Sequence, residues 1–177
     1  FAKAERPRNV YLMEGYFDVA IAHQVGVKNT VGIMGTALTS AHISMLESLG
    51  VGEVTLCLDQ DAAGIRTTLE IIQEFISNPY RFRLSVKTLP DGMDPDEVLL
   101  SNDGLKTFNE LRTVTAFEYW IEHEWRVKNH QTEQDKTALL EEACQIIASE
   151  SSPLRREQMA EVLVGLSEFE LSHIRSQ

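Results

Sequence analysis

The chain is poor in positive charge: 16 lysines and arginines face 27 aspartates and glutamates, for a net charge of −11. Because cations that neutralise phosphates supply most non-specific affinity for nucleic acid, this balance argues against a chain that grips a nucleic-acid backbone unaided. Cysteine is scarce too. Cys57 lies in the apolar run VTLCLD and Cys144 in a helical pattern, with neither CxxC spacing nor a neighbouring histidine. No zinc site is expected, and both thiols read as reduced and in or near the core. No apolar stretch approaches the roughly 20 residues that span a bilayer, and the opening FAKAERPRNV lacks the apolar centre of a signal peptide. A cytoplasmic protein with no membrane partner is expected. Internal repeats and low-complexity segments are also missing, and the start at Phe1 rather than methionine suggests a piece of something longer.

What is present is ordinary globular material: 177 residues, 43% hydrophobic and 24% charged, enough for one main core and a small appendage. In the first half, short apolar runs alternate with helical patterns. VYLM (Val10 to Met13), NTVGI (Asn29 to Ile33), EVTLCL (Glu53 to Leu58) and RFRLSVKTL (Arg81 to Leu89) read as strands. YFDVAIAHQV, SAHISMLESL and AGIRTTLEIIQEFI read as helices, the first two stopping at Gly26 and Gly50. Such alternation predicts βαβ crossovers, hence an α/β fold with a largely parallel sheet flanked by helices. From about Thr115 the pattern turns helical throughout. Residues 1–115 are thus expected to form the α/β unit and 116–177 a small all-helical subdomain of about three helices. Its stripe of Phe117, Trp120, Ile121 and Trp125 reads as a packing face.

Ligands of parallel sheets sit at the carboxyl ends of strands. Acidic residues collect there: Glu14 after the first strand, Asp59 and Asp61 after the third, and Asp91, Asp94 and Asp96 after the fourth. Asp59 and Asp61, two residues apart, would point to one side at about 6 to 7 Å. At about 5 Å and an effective dielectric near 20, two such charges repel by roughly 3 kcal/mol. Capping of the helix that begins near Ala62 accounts for Asp61 but leaves Asp59 without a partner. A hard cation such as Mg²⁺ would offset the pair. Gly15 permits a sharp turn that leaves Glu14 at the mouth of the crevice. Asp18, one helical turn on, reads equally as a dipole-favoured first-turn residue or as part of the site. Asp94, followed by Pro95 and Glu97, has the pattern of a capping box, whereas Asp96 is free to face the crevice. Gly35 and Thr36 after the second strand read either as a phosphate or water contact or as a plain turn. His23 and His42 have no ligand-type partners in sequence.

The ordered motifs EGYFD (14–18), GTALT (35–39), DQDAAG (59–64) and LPDGMDPDE (89–97) together resemble the Toprim part of the bacterial DnaG-type primase, over about Val10 to Leu100. Gln60 stands where that family usually has glycine. The resemblance implies a metal-dependent nucleotidyltransferase, a DNA-directed RNA polymerase that makes short RNA primers on single-stranded DNA from ribonucleoside triphosphates during replication. It implies Mg²⁺ or Mn²⁺ carried by Glu14, Asp59 and Asp61, with Asp18, Asp94 and Asp96 completing the acidic rim. It further implies a nucleoid-associated monomer whose contacts with the replicative helicase and single-strand binding protein lie in regions absent here, together with the zinc-binding domain and the basic half of the core. The acidic balance of this piece follows, and the piece alone is expected to bind metal weakly and to make little primer. Two rival readings stay open: another Toprim enzyme, a nuclease or topoisomerase, or a non-catalytic Toprim binding module.

Overall fold

The computed structural model describes residues 8–35, 38–78, 80–128 and 132–175. The chain divides into two compact units, Phe1–Ala116 and Phe117–Gln177. The first unit is built on a five-stranded sheet of β1 (Asn9–Met13), β2 (Thr30–Gly32), β3 (Glu53–Leu56), β4 (Arg83–Lys87) and β5 (Thr113–Thr115), in the order β2-β1-β3-β4-β5. The first four strands are mutually parallel and β5 is antiparallel to β4. Strands buried on both faces need continuous apolar runs, and β1 and β3 have them. Val10, Met13, Val54 and Leu56 are fully buried.

The helices follow from the crossovers. Between α1 (Tyr16–Val25) and α3 (Ala62–Ser77) comes α2 (Ser40–Ser48), and α4 (Pro95–Leu100) and α5 (Gly104–Glu110) fill the stretch before β5. Right-handed connections place α1 on one face and α2 and α3 on the other, because β2 and β3 flank β1 on opposite sides. On the α1 face, Met13, Ala22, Val27, Cys57, Leu89, Val98, Leu99 and Phe108 form one core, in which α4 packs on both α1 and α5. On the other face α3 buries Gly64, Thr67, Thr68, Ile71 and Ile72, a stripe with helical spacing. Complete burial of Ile72 alone is worth roughly 1.5–3 kcal/mol. Gly26 closes α1 at φ +107°, where glycine avoids the Cβ penalty.

Two details depart from the sequence reading, while a third, Cys57, agrees with it. Strand β5 was not anticipated: Thr113–Thr115 is too short to show a period, and pairing with β4 is what makes it a strand. Cys57 is buried, and that burial pushes its thiol up to about 12. Cys144 is exposed rather than near-core. It follows Ala143, which together with Leu139 forms the buried face of α7 (Glu133–Ser149), and one residue further turns it about 100° away. The second unit consists of α6 (Ala116–Lys128, from Phe117 on), α7 and α8 (Pro153–Arg175), the last opening at the proline. Phe117, Trp120 and Ile121 are buried and Trp125 is half-buried. No described helix is long and apolar enough to cross a membrane.

One buried cation stands out. Lys87 is 3% exposed, donates to the carbonyls of Phe108 at 3.1 Å and Leu111 at 3.2 Å, and lies 5.0 Å from the centre of the Phe108 ring. Burial lowers its pKa, against a smaller upward pull from Cys57. Lys87→Met keeps the length but leaves both carbonyls without this donor, an expected loss of about 1–3 kcal/mol measurable by urea unfolding.

Candidate active site

The site begins where β1 ends. The Ile33 N–H donates to Met13 O at 3.0 Å and the Met34 N–H to Glu14 O at 3.1 Å, carrying the β1–β2 ladder past the strands. On the other side the Cys57 N–H donates to Leu12 O at 2.8 Å. Glu14 is therefore held between both neighbouring strand ends, where the strand order reverses direction and leaves a crevice. Gly15 opens α1 in extended conformation, and its N–H donates to Asp18 Oδ2 at 2.9 Å. Asp18 is buried, and this hydrogen bond fills the first-turn role open to it in sequence.

Asp61 caps α3: its Oδ1 accepts from the Gly64 N–H at 2.7 Å. Asp59 has no such duty, and among the described residues its Oδ1 is a buried oxygen without a hydrogen-bond partner. The close return of α3 onto this loop depends on Gly64. A Cβ there would run into the Asp59 carbonyl, with the carbonyl carbon 2.9 Å away. The backbone of Gln60 then ties the loop to its neighbour, its N–H donating to Met93 O at 3.3 Å and its carbonyl accepting from the Gly92 N–H at 3.2 Å. Gly92 sits at φ +73° to make this turn.

Beyond the bridge, Asp94 opens α4. The expected capping box is present, with Glu97 Oε2 accepting from the Asp94 N–H at 3.2 Å. The Asp94 carboxylate also feels the charges of Asp18, Asp96 and Asp61. Asp96 is half-buried in the first turn of α4, and Asp91 is exposed. Gly35 is exposed with nothing within 4 Å of a Cβ placed on it, so crowding does not demand glycine there. Thr36 lies outside the described residues. His23 Nε2 pairs with Thr30 O, and His42 joins the cap of α2 through Thr39.

Electrostatics shows which acids converge. Asp59 is pushed up to about 7, first by burial and then by the charges of Asp94, Glu14, Asp18 and Asp61. Glu14 is raised by burial and then by Asp61, Asp18 and Asp94. Asp94 is raised by burial, then by Glu97, Asp18, Asp96 and Asp61. Five carboxylates from three strand ends thus enter these shifts, and no basic side chain is among the causes acting on Glu14, Asp59 or Asp94. Asp96 acts on Asp94 alone of these three and stands at the edge. As arranged, no three acidic, histidine or cysteine side chains among the described residues stand close enough to hold one ion. The donor set still fits a hard cation: it is all carboxylate, one acceptor is already desolvated, and Mg²⁺ keeps several waters that would span the remaining gaps. Gly64 and the Gln60 bridge were not singled out in sequence, although the small-residue run after Asp61 in DQDAAG was a usable signal.

Residues 11–99 match the family model described as Toprim-like. Among known proteins, the chain is 32% identical over 170 residues to the DNA primase of Enterococcus faecalis, covering 94% of this chain and 26% of that protein. It is 40% identical over 92 residues to the DNA primase of Deinococcus radiodurans, covering 52% of this chain and 16% of that one. Among solved structures it resembles the RNA polymerase domain of Mycobacterium tuberculosis primase DnaG. The TM-score is 0.68 at 26% identity, covering 89% of this chain and 51% of that one. The chain spans about a quarter of the length of its E. faecalis relative.

Gly64→Ala is expected to cost about 1–3 kcal/mol by overpacking and to displace Asp59, a loss readable in urea unfolding. A carboxyl held at about 7 when folded, against an ordinary 3.8, binds more protons in the native state between those values. Its contribution to stability is complete below 3.8 and lost as pH rises through about 7. Thermal melts in chelator are therefore expected to fall over that window, and Asp59→Asn to flatten the fall.

Proposed function

The chain belongs to the Toprim-like family, and on that premise we propose that it is the metal-binding part of a primase. Its work is nucleotidyl transfer from ribonucleoside triphosphates to an RNA primer on single-stranded DNA. The observation that carries this reading is the buried, unpartnered oxygen of Asp59 amid Glu14, Asp18, Asp61 and Asp94. Support comes from the primase relatives and from the M. tuberculosis polymerase domain, which has been crystallised with double-stranded DNA.

Glu14, Asp59 and Asp61 would hold the divalent ions, with Asp18, Asp94 and Asp96 as outer acids. Bound there, Mg²⁺ or Mn²⁺ would neutralise phosphate oxygens and lower the pKa of the attacking 3′-hydroxyl. The protein's own contribution is preorganisation. Raised carboxyl pKa values keep the empty cluster partly protonated, so ion uptake releases protons and strengthens as pH rises through about 7. Asp61 keeps its aim because one oxygen is fixed on the Gly64 N–H. Gln60 holds the Asp59 loop and the Asp94 loop at one separation. Gly35 leaves open space beside Glu14 for a phosphate or water. The template-gripping cations would be supplied by other parts of a primase, since this chain carries −11.

Calorimetric titration with Mn²⁺ tests the assignment. Glu14→Gln and Asp59→Asn are each expected to weaken uptake by about 100-fold or more, and Asp96→Asn by about tenfold, in the range of outer-shell groups. In a primase carrying this segment, the first two should abolish ribonucleotide incorporation on single-stranded DNA. Metal uptake unchanged in Asp59→Asn would overturn the proposal, and DNA nicking without incorporation would transfer it to a Toprim nuclease.

A further inference from the structure

Among the described aromatic side chains, only Tyr16 and Phe17 are exposed, at 75% and 80%. Phe82, Phe108, Phe117, Tyr119 and Trp120 are all buried. Both exposed rings occupy the first turn of α1, directly between Glu14 and Asp18. Helix formation does not call for them, since aromatic residues are mediocre helix formers, and leaving two such rings in water forfeits their burial. Their position is what distinguishes them. Side chains on a helix lean toward its N-terminus, which for α1 is the carboxyl edge of the sheet where the acids gather.

We propose that Tyr16 and Phe17 form a stacking platform for the nucleobases of the strand or nucleotide whose phosphates meet the acidic cluster, an inference that rests on the function proposed above. Reach permits it. At no more than about 3.6 Å per residue, the Tyr16 backbone lies within about 7 Å of Glu14 and that of Phe17 within about 11 Å. Stacked nucleotides advance about 3.4 Å per step, so bases flanking the reacting phosphate fall inside that span. Charge selects the occupant. No lysine or arginine occurs between Arg8 and Lys28, so the segment that carries the rings offers no cation of its own to a phosphate backbone. A base presents a neutral π-face, which an aromatic ring holds beside carboxylates without help from positive charge. Met34 extends the apolar ground on the β2 side of Glu14. It is 43% exposed, donates its N–H to Glu14 O, and lays its thioether over Gly32, with the sulfur 3.1 Å from where a Cβ would stand.

The test is the affinity of the chain, in Mg²⁺, for a single-stranded oligonucleotide containing 5-bromodeoxyuridine, followed by photo-crosslinking and peptide mapping. Tyr16→Leu and Phe17→Leu keep apolar bulk without the ring and are expected to weaken binding about tenfold each. Tyr16→Phe should bind as the parent does, an abasic oligonucleotide should bind as weakly as the double leucine variant, and adducts should map to the Tyr16–Phe17 peptide. Equal affinity for parent and leucine variants, or for abasic and base-bearing strands, overturns the platform. So does self-association of the parent that the leucine variants lose while oligonucleotide affinity stays the same, which would assign the rings to a protein contact. Mg²⁺ uptake measured in parallel separates the two claims. Uptake with ring-independent binding sinks the platform alone, whereas ring-dependent binding without uptake sinks the metal assignment and keeps the platform.

Discussion

Mutual repulsion among carboxylates is the constraint around which the first unit is organised. Glu14, Asp59 and Asp94 are each raised by burial and by the charges of their acidic neighbours, and no basic side chain is among the causes of these three shifts. A fold gains nothing in stability from such an arrangement. Its cost is tolerable because the apolar strands beneath are fully buried, and its purpose becomes intelligible once a divalent ion replaces the protons.

Holding like charges together requires stiff backbone rather than side-chain contacts. The strand order puts Glu14 and Asp59 just past the ends of the adjacent central strands β1 and β3, and ladder bonds from Ile33, Met34 and Cys57 extend order past those ends. Gly64 lets α3 start against the Asp59 carbonyl, and Gln60 joins the two acidic loops through its main chain alone. This explains how glutamine stands in a place that resembles a family glycine. Both bonds use its N–H and C=O, so its side chain is spared from the bridge. The division between capping and chemistry is equally local: Asp61 and Asp18 engage backbone N–H groups, whereas one oxygen of Asp59 is left unpartnered.

Much of this was legible from residue order. Strands β1 to β4 announced themselves as short apolar runs set between helical patterns, and helices α1 to α3 by a spacing of 3.6 residues that persists over enough positions to be seen. Asp59 was singled out correctly as the aspartate that capping does not explain. Strand β5 was invisible because three residues carry no period, and its identity comes from pairing with Lys87, Val86 and Ser85. Cys144 was misjudged because one helical step separates the buried face at Ala143 from solvent, and sequence spacing resolves that angle poorly.

Residue order by itself determined the alternation of strand and helix, the acidic balance, and the presence of carboxylates at successive strand ends, because these depend on short-range spacing and side-chain chemistry. Tertiary structure alone decided that the carboxylates of three separate loops share one crevice and that one oxygen of Asp59 is sealed from solvent without a partner. It alone also decided that Lys87 is spent on two carbonyls rather than on the acids, and that the only exposed described aromatics are those between Glu14 and Asp18. Each is a relation between residues far apart along the chain or a matter of solvent access, and both are set by strand order and packing, which no local pattern encodes.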